Sequence, residues 1–179
     1  MDSTSAPTQW IEKASAAYQA GEFSQAARLF EKAAQAYELE NNLLNAAEMQ
    51  NNRSVALLKA GDNSGALLAA QGTDQIFLRA GDKKRQAIAL GNQAAALEAE
   101  GKNDQALALY RQCSDLLKEI NDLKTRTFVL KSISALQMRT GKQFEAMASM
   151  EAALDASEHL TFREKILKKL LRVPFKMLH

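Results

Sequence analysis

The sequence predicts an all-α fold of four helical hairpins stacked as an α-solenoid, followed by one further helix. Three observations predict it. Glycine recurs at Gly21, Gly61, Gly101 and Gly141, a spacing of forty residues. Alanine recurs with the same spacing at Ala26, Ala66, Ala106 and Ala146. The only prolines among the 179 residues are Pro7 and Pro174, so no proline breaks a helix between them. A period of this length marks a stacked helical array, in which each unit buries its apolar face against its neighbours.

Each period carries a second break about twenty residues after the first, at Asn41-Asn42, Gly81-Asp82 and Asn121-Asp122, with Thr161 at that phase in the last copy. Between breaks the apolar spacing is helical. After Ala106 come Leu109, Tyr110, Cys113, Leu116, Leu117 and Ile120, steps that put one stripe on one face. First helices are expected at about 8–20, 43–60, 83–100 and 123–140. Second helices are expected at about 24–40, 64–80, 104–120 and 144–158, and a ninth at about 161–172. A helix of about 17 residues is roughly 25 Å long at ~1.5 Å rise per residue. The glycines mark helix ends that need a positive φ. Ser24, Ser64 and Asp104 follow them, each able to cap the next helix, whereas Phe144 interrupts that series. Pro174 is expected to end the last helix. The chain thus divides into a solenoid over 1–160, with repeats at about 8–40, 43–80, 83–120 and 123–158, and a terminal segment over 161–179.

Further positions keep character through the copies. Ala14, Ser54, Ala94 and Ser134 are all small. Ala17, Leu57 and Leu97 are apolar, with Gln137 at the same place in the fourth copy. Phe30, Ala70, Tyr110 and Met150 share another phase. The series Trp10, Ala14, Tyr18, Gly21, Phe23, Ala26, Phe30 and Ala33 resembles a tetratricopeptide repeat. In that family an aromatic residue opens the first helix and small residues fill the helix crossing. Glycine makes the turn, and alanine and an aromatic line the second helix. The resemblance covers residues 8 to about 158 and implies a right-handed α-solenoid. The chain departs from the family in its longer period and in lacking the closing proline.

Composition bounds the function classes. The formal net charge of +2 is too small to favour nucleic acid. It is unevenly spread: residues 161–179 hold six basic residues and one acidic, the rest 17 basic and 20 acidic. Cys113 is the only cysteine, so no internal disulfide forms and a reducing, cytoplasmic setting is expected. The start Met-Asp-Ser-Thr-Ser-Ala-Pro lacks the features of a secretory signal. No apolar run approaches the ~18 residues of a membrane span.

No residue pattern favours catalysis. His159 and His179 are the only histidines and have no partner at zinc-ligand spacing. The Ala-Gly-Asp-Lys-Lys run around Gly81 lacks the other elements of a phosphate loop and reads as a polar turn. Cys113 sits on a helical stripe and reads as a buried, inert thiol. No catalytic residue, metal or cofactor is expected, and the chain is read as a non-enzyme.

In tetratricopeptide families the first helix of each repeat lines a concave groove. The resemblance therefore implies contact positions at Ile11, Ser15 and Tyr18 in the first copy. The second copy supplies Asn51, Asn52, Val55 and Lys59, and the third Gly91, Asn92, Ala95 and Glu98. The fourth supplies Lys131, Ser132, Ala135, Met138 and Arg139. Asn52 and Asn92 share a phase, and an amide can pair with both groups of an extended backbone. They either do so or brace neighbouring helices. The carboxylate clamp of one subfamily is not matched, because its first-repeat positions hold Ile11 and Ser15. Lys59, Lys131 and Arg139 beside Tyr18, Val55 and Met138 would complement a peptide with apolar and acidic residues.

The terminal segment sets Phe162, Ile166, Leu167, Leu170 and Leu171 against Arg163, Lys165, Lys168, Lys169 and Arg172. It reads either as a helix capping the last hairpin or as a basic amphipathic helix for an anionic membrane or acidic partner. Val173, Phe175, Met177 and Leu178 form a short apolar tail. The function expected is a protein-binding adaptor for an unidentified protein or peptide, as a monomer or weak homo-oligomer. The alternatives are a self-associating scaffold or contact through the basic terminal helix.

Overall fold

A computed structural model of the chain describes residues 6–157 and 159–176, with side chains described for 7–157 and 159–171. These residues form ten α-helices and no strand. The first hairpin is α1 (Ala6–Gln19) and α2 (Phe23–Leu39). The second is α3 (Leu43–Ala60) with α4 (Asn63–Ala70) and α5 (Thr73–Arg79). The third is α6 (Lys83–Ala99) and α7 (Asn103–Glu119), and the fourth α8 (Leu123–Arg139) and α9 (Gln143–Ala156). Last comes α10 (Phe162–Lys176). Most helix packing joins neighbours in the chain, and α3 and α4 also reach α6 across a hairpin boundary. No helix among the described residues is long and apolar enough to cross a membrane.

The turns explain these lengths. Gly21, Gly61, Gly81, Gly101 and Gly141 take positive φ, as expected, and Asn41 and Asn121 do the same. After each, the next backbone N–H bonds back to a carbonyl five residues earlier, as in Glu22 to Ala17 at 2.9 Å and Lys102 to Leu97 at 2.9 Å. This 6→1 bond over a left-handed residue closes a helix and satisfies a terminal carbonyl. Because closure is immediate, the residue after the left-handed one is already the N-cap. Asn42, Asp62, Asp82 and Asp122 each accept from a backbone N–H in the following first turn, at 3.2, 2.9, 2.9 and 3.0 Å.

The expected caps at Ser24, Ser64 and Asp104 are therefore corrected, because they lie inside their helices. Ser64 donates instead to Glu100 at 2.6 Å, and Asp104 accepts from Lys142 at 2.9 Å. Lys83 pairs with Glu119, and Asn63 donates to the Ala99 carbonyl at 3.0 Å. Lys83–Glu119 ties α6 to α7 within the third hairpin, and the other three contacts each join one hairpin to the next.

A second correction concerns the helix expected over 64–80. It breaks at Gln71 and Gly72, where Gly72 takes φ +79°. Glycine inside a helix costs about 1 kcal/mol relative to alanine, which lowers the penalty for breaking there. The Thr73 hydroxyl then takes the Ala70 carbonyl at 2.6 Å, a local bond that competes with helix continuation. The break lets α5 set Phe77 fully buried against Ala47 of α3 and Ala89 of α6. A third correction is at Pro174, which lies within α10 rather than at its end. Close to a terminus, one missing i−4 donor leaves most of the hydrogen-bond ladder intact. The side chains of Val173 and Phe175, with Met177 and Leu178, lie outside the described residues.

Small residues let the helices approach. Ala14, Ser54, Ala94 and Ser134 are buried where the two helices of a hairpin cross, and so are Ala26, Ala66, Ala106 and Ala146. The Ser134 hydroxyl donates to the Ala146 carbonyl at 2.7 Å, which satisfies it in that crossing. Gln137, the polar exception in its series, is buried and accepts from the Ser149 hydroxyl at 2.7 Å.

Two glycine substitutions should have opposite signs. Gly101→Ala forces an L side chain into φ +77°, with nothing within 4 Å of the new Cβ. The cost is backbone alone, about 1–2 kcal/mol. Gly91→Ala within α6 meets only the Cys113 sulfur, at an ordinary 3.5 Å. It should stabilise by up to about 1 kcal/mol through helix propensity. Urea midpoints at an unchanged m-value measure both.

Candidate functional site

The first two hairpins bring four expected residues together, Ser15, Tyr18, Asn52 and Val55. Ala14 and Ala17 of α1 are buried; Tyr18 flanks that stripe half-buried, and Ser15 and Gln19 turn further from it. Ser54 and Ala56 of α3 are likewise buried and leave Asn52 and Val55 half-buried. These five residues and Phe30 of α2 line a pocket of about 350 Å³. The Tyr18 ring meets Phe23 edge-on at 5.3 Å, which fixes one aromatic wall. The Asn52 amide makes no side-chain hydrogen bond among the described residues. The pocket therefore offers an unpaired amide between an aromatic and an aliphatic wall. That combination suits a peptide group with an apolar side chain beside it.

Asn51 does not belong to this surface, which corrects the expectation. It is 4% exposed and accepts from the Thr73 hydroxyl at 3.2 Å. Next to it Asp74 is buried, and accepts from Gln93 and from Gln75 at 2.7 Å each. Asn51, Thr73, Asp74 and Gln93 form a polar seam joining α3, α5 and α6 beside the break in the second hairpin. The one-residue step from Asn52 to Asn51 turns the side chain by about 100° and takes it from surface to interior.

The remaining expected residues lie further along. Asn92 on α6 and Ser132 on α8 are half-buried at the Asn52 phase, and the Asn92 amide is also unpaired among the described residues. Lys59 and Met138 are exposed. Lys131 and Arg139 differ from the expected open charges. Arg139 pairs with Glu98 of α6, whose other carboxylate oxygen accepts from the Tyr110 hydroxyl at 2.9 Å. Burial, then the Glu98 charge, raises the Tyr110 phenol above its usual value and keeps it a neutral donor. Lys131 pairs with Glu164 of α10 at 3.0 Å. Much of the positive charge expected for an acidic peptide is thus neutralised within the chain.

Lys131 also borders a second pocket, of about 470 Å³, with Phe128, Thr127, His159 and Glu164. Ser157 and His159 on its rim lie outside the helices, so no helical spacing in the sequence marks it. A capping-box pattern was nonetheless present. The Thr161 backbone N–H donates to Glu164 at 3.0 Å, and the Glu164 N–H to the Thr161 hydroxyl at 3.3 Å. A third depression, of about 890 Å³, lies between the turns at 80–84 and 120–122. Its Lys83 is engaged with Glu119, and no side chain is recessed into it with an unpaired group. Among the described residues no group of His, Cys, Asp or Glu is arranged to hold a metal ion.

Cys113 is buried, and burial pushes its thiol up to about 12. Iodoacetamide at pH 8 should leave the native protein unmodified and alkylate it fully in denaturant; rapid native alkylation would contradict this. Glu164 is lowered to about 2 by the Thr161 N–H first, then by Lys131 and the Thr161 hydroxyl. With the folded value depressed from 4.5, its share of α10 anchoring is complete above that pH and is lost as pH falls towards 2. Carboxyl NMR titration of Lys131→Met should show the Glu164 midpoint moving up. No family model matches this chain, and no curated protein matches it.

Proposed function

We propose that this chain is a tetratricopeptide-like, right-handed α-solenoid that binds an extended segment of another polypeptide. The groove is lined by the first helix of each hairpin, α1, α3, α6 and α8. Two features support the solenoid. The forty-residue period keeps its glycine and alanine in four copies. Ties between successive hairpins recur at separations of 36, 38 and 41 residues, as in Ser64–Glu100, Asp104–Lys142 and Glu98–Arg139. Neighbour-only contacts of this kind characterise stacked repeats.

The observation that carries the binding reading is the convergence of Tyr18, Asn52 and Val55 on one pocket with the Asn52 amide unpaired. Tyr18 and Val55 supply apolar area, and Asn52 supplies a donor and an acceptor for a main-chain group. Asn92 extends the polar track along α6, and Lys59 adds an exposed positive charge. The preferred segment is apolar with a main chain free to bond. Acidic side chains matter less than the lysines and arginines of the sequence suggest, because Lys131 and Arg139 are already paired. The chain acts as a binding module, not an enzyme, and its single buried thiol suits a cytoplasmic setting.

Selection from a displayed random-peptide library tests this. The wild type should enrich a defined motif. Tyr18→Ala and Asn52→Ala should each weaken binding of that motif by about tenfold, or about 1.4 kcal/mol, with helicity by circular dichroism unchanged. Affinity that survives both substitutions would sink the reading.

A further inference from the structure

The outer side of α10 is unlike the rest of the surface. The helix packs mainly against α9, with Lys131 of α8 also reaching it. Leu171 is buried, Glu164 turns to Lys131 at 3.0 Å, and Lys168 turns to Asp155 at 2.6 Å. Those contacts use the only acidic residue of the 161–179 segment, so the outward face of the described helix carries none. What faces out is an apolar stripe at i, i+4 and i+8: Phe162, Ile166 and Leu170, exposed by 78%, 44% and 61%. Arg163 flanks it on one side and Lys165 and Lys169 on the other, all exposed.

From this geometry we infer that α10 is a docking helix for an anionic membrane surface, independent of the peptide groove. Three features fit that occupant. The stripe runs along the described part of α10 with all three of its apolar side chains exposed. Its rims are basic on both sides, matching the negative potential of acidic headgroups. Its apolar centre can enter the headgroup boundary while the long basic side chains stay at the polar level. The capping box at Thr161–Glu164 and the two ion pairs hold the helix in this orientation. No large folding cost then falls on binding.

Co-sedimentation with phosphatidylcholine vesicles, with and without phosphatidylserine, tests the inference on the full chain. Wild type should pellet with the phosphatidylserine vesicles, remain soluble with phosphatidylcholine alone, and dissociate as salt rises. Phe162→Asp/Ile166→Asp and Lys165→Glu/Lys169→Glu should each lower partitioning by about tenfold or more. All four side chains face solvent, so helicity should stay unchanged. Tyr18→Ala/Asn52→Ala should bind vesicles like wild type, which separates this site from the groove. The inference is overturned if wild type pellets with neither vesicle, or equally with both. It is also overturned if neither α10 variant weakens binding. A vesicle-free dimer that Phe162→Asp/Ile166→Asp converts to monomer would assign the stripe to a second copy of the chain instead.

Discussion

At intervals of twenty residues, from Gly21 to Gly141, the backbone enters the left-handed region and a 6→1 hydrogen bond closes the helix behind it. Everything else is built on that reversal. It sets helix length at about five turns. It returns each second helix along the first. Asparagine serves at two of these positions and glycine at five, the two residue types that reach positive φ at least cost. The acidic or asparagine residue that follows in four turns then starts the next helix, so one short segment both stops and restarts the chain.

Close approach is the second constraint. With Ala14, Ala94, Ala26 and Ala106 buried where paired helices cross, the backbones come near enough for the larger residues to interlock around them. The second hairpin departs from this scheme. Its broken helix supplies Phe77 to the core and opens a seam in which Asn51, Thr73, Asp74 and Gln93 satisfy one another. No described buried side-chain polar atom lacks a partner, so the departure leaves no uncompensated desolvation there.

The two candidate surfaces use the same molecule differently. The pocket between the first hairpins is recessed, with its amide unpaired and its walls apolar. The face of α10 is raised, with its charges outward and its apolar stripe uncovered. Internal ion pairing separates them further. Glu98 and Glu164 quiet Arg139 and Lys131 on the hairpin side, while Arg163, Lys165 and Lys169 remain turned to solvent.

The sequence by itself determined the all-helical class, the hairpin boundaries to within a few residues and the small-residue crossings. Each of these follows from local chemistry: positive φ at glycine, helical apolar spacing, or volume at a repeated phase. The phase of Asn52 was legible for the same reason. Three features were decided by tertiary structure alone. Asn51 went inward because Thr73 met it across the break at Gly72. Lys131 and Arg139 lost their open charge to acids 33 and 41 residues away. The stripe of α10 stayed outside because its anchors lie on the opposite side of that helix. Composition and periodicity carry no record of partners so far apart in the chain, since folding alone brings them within reach.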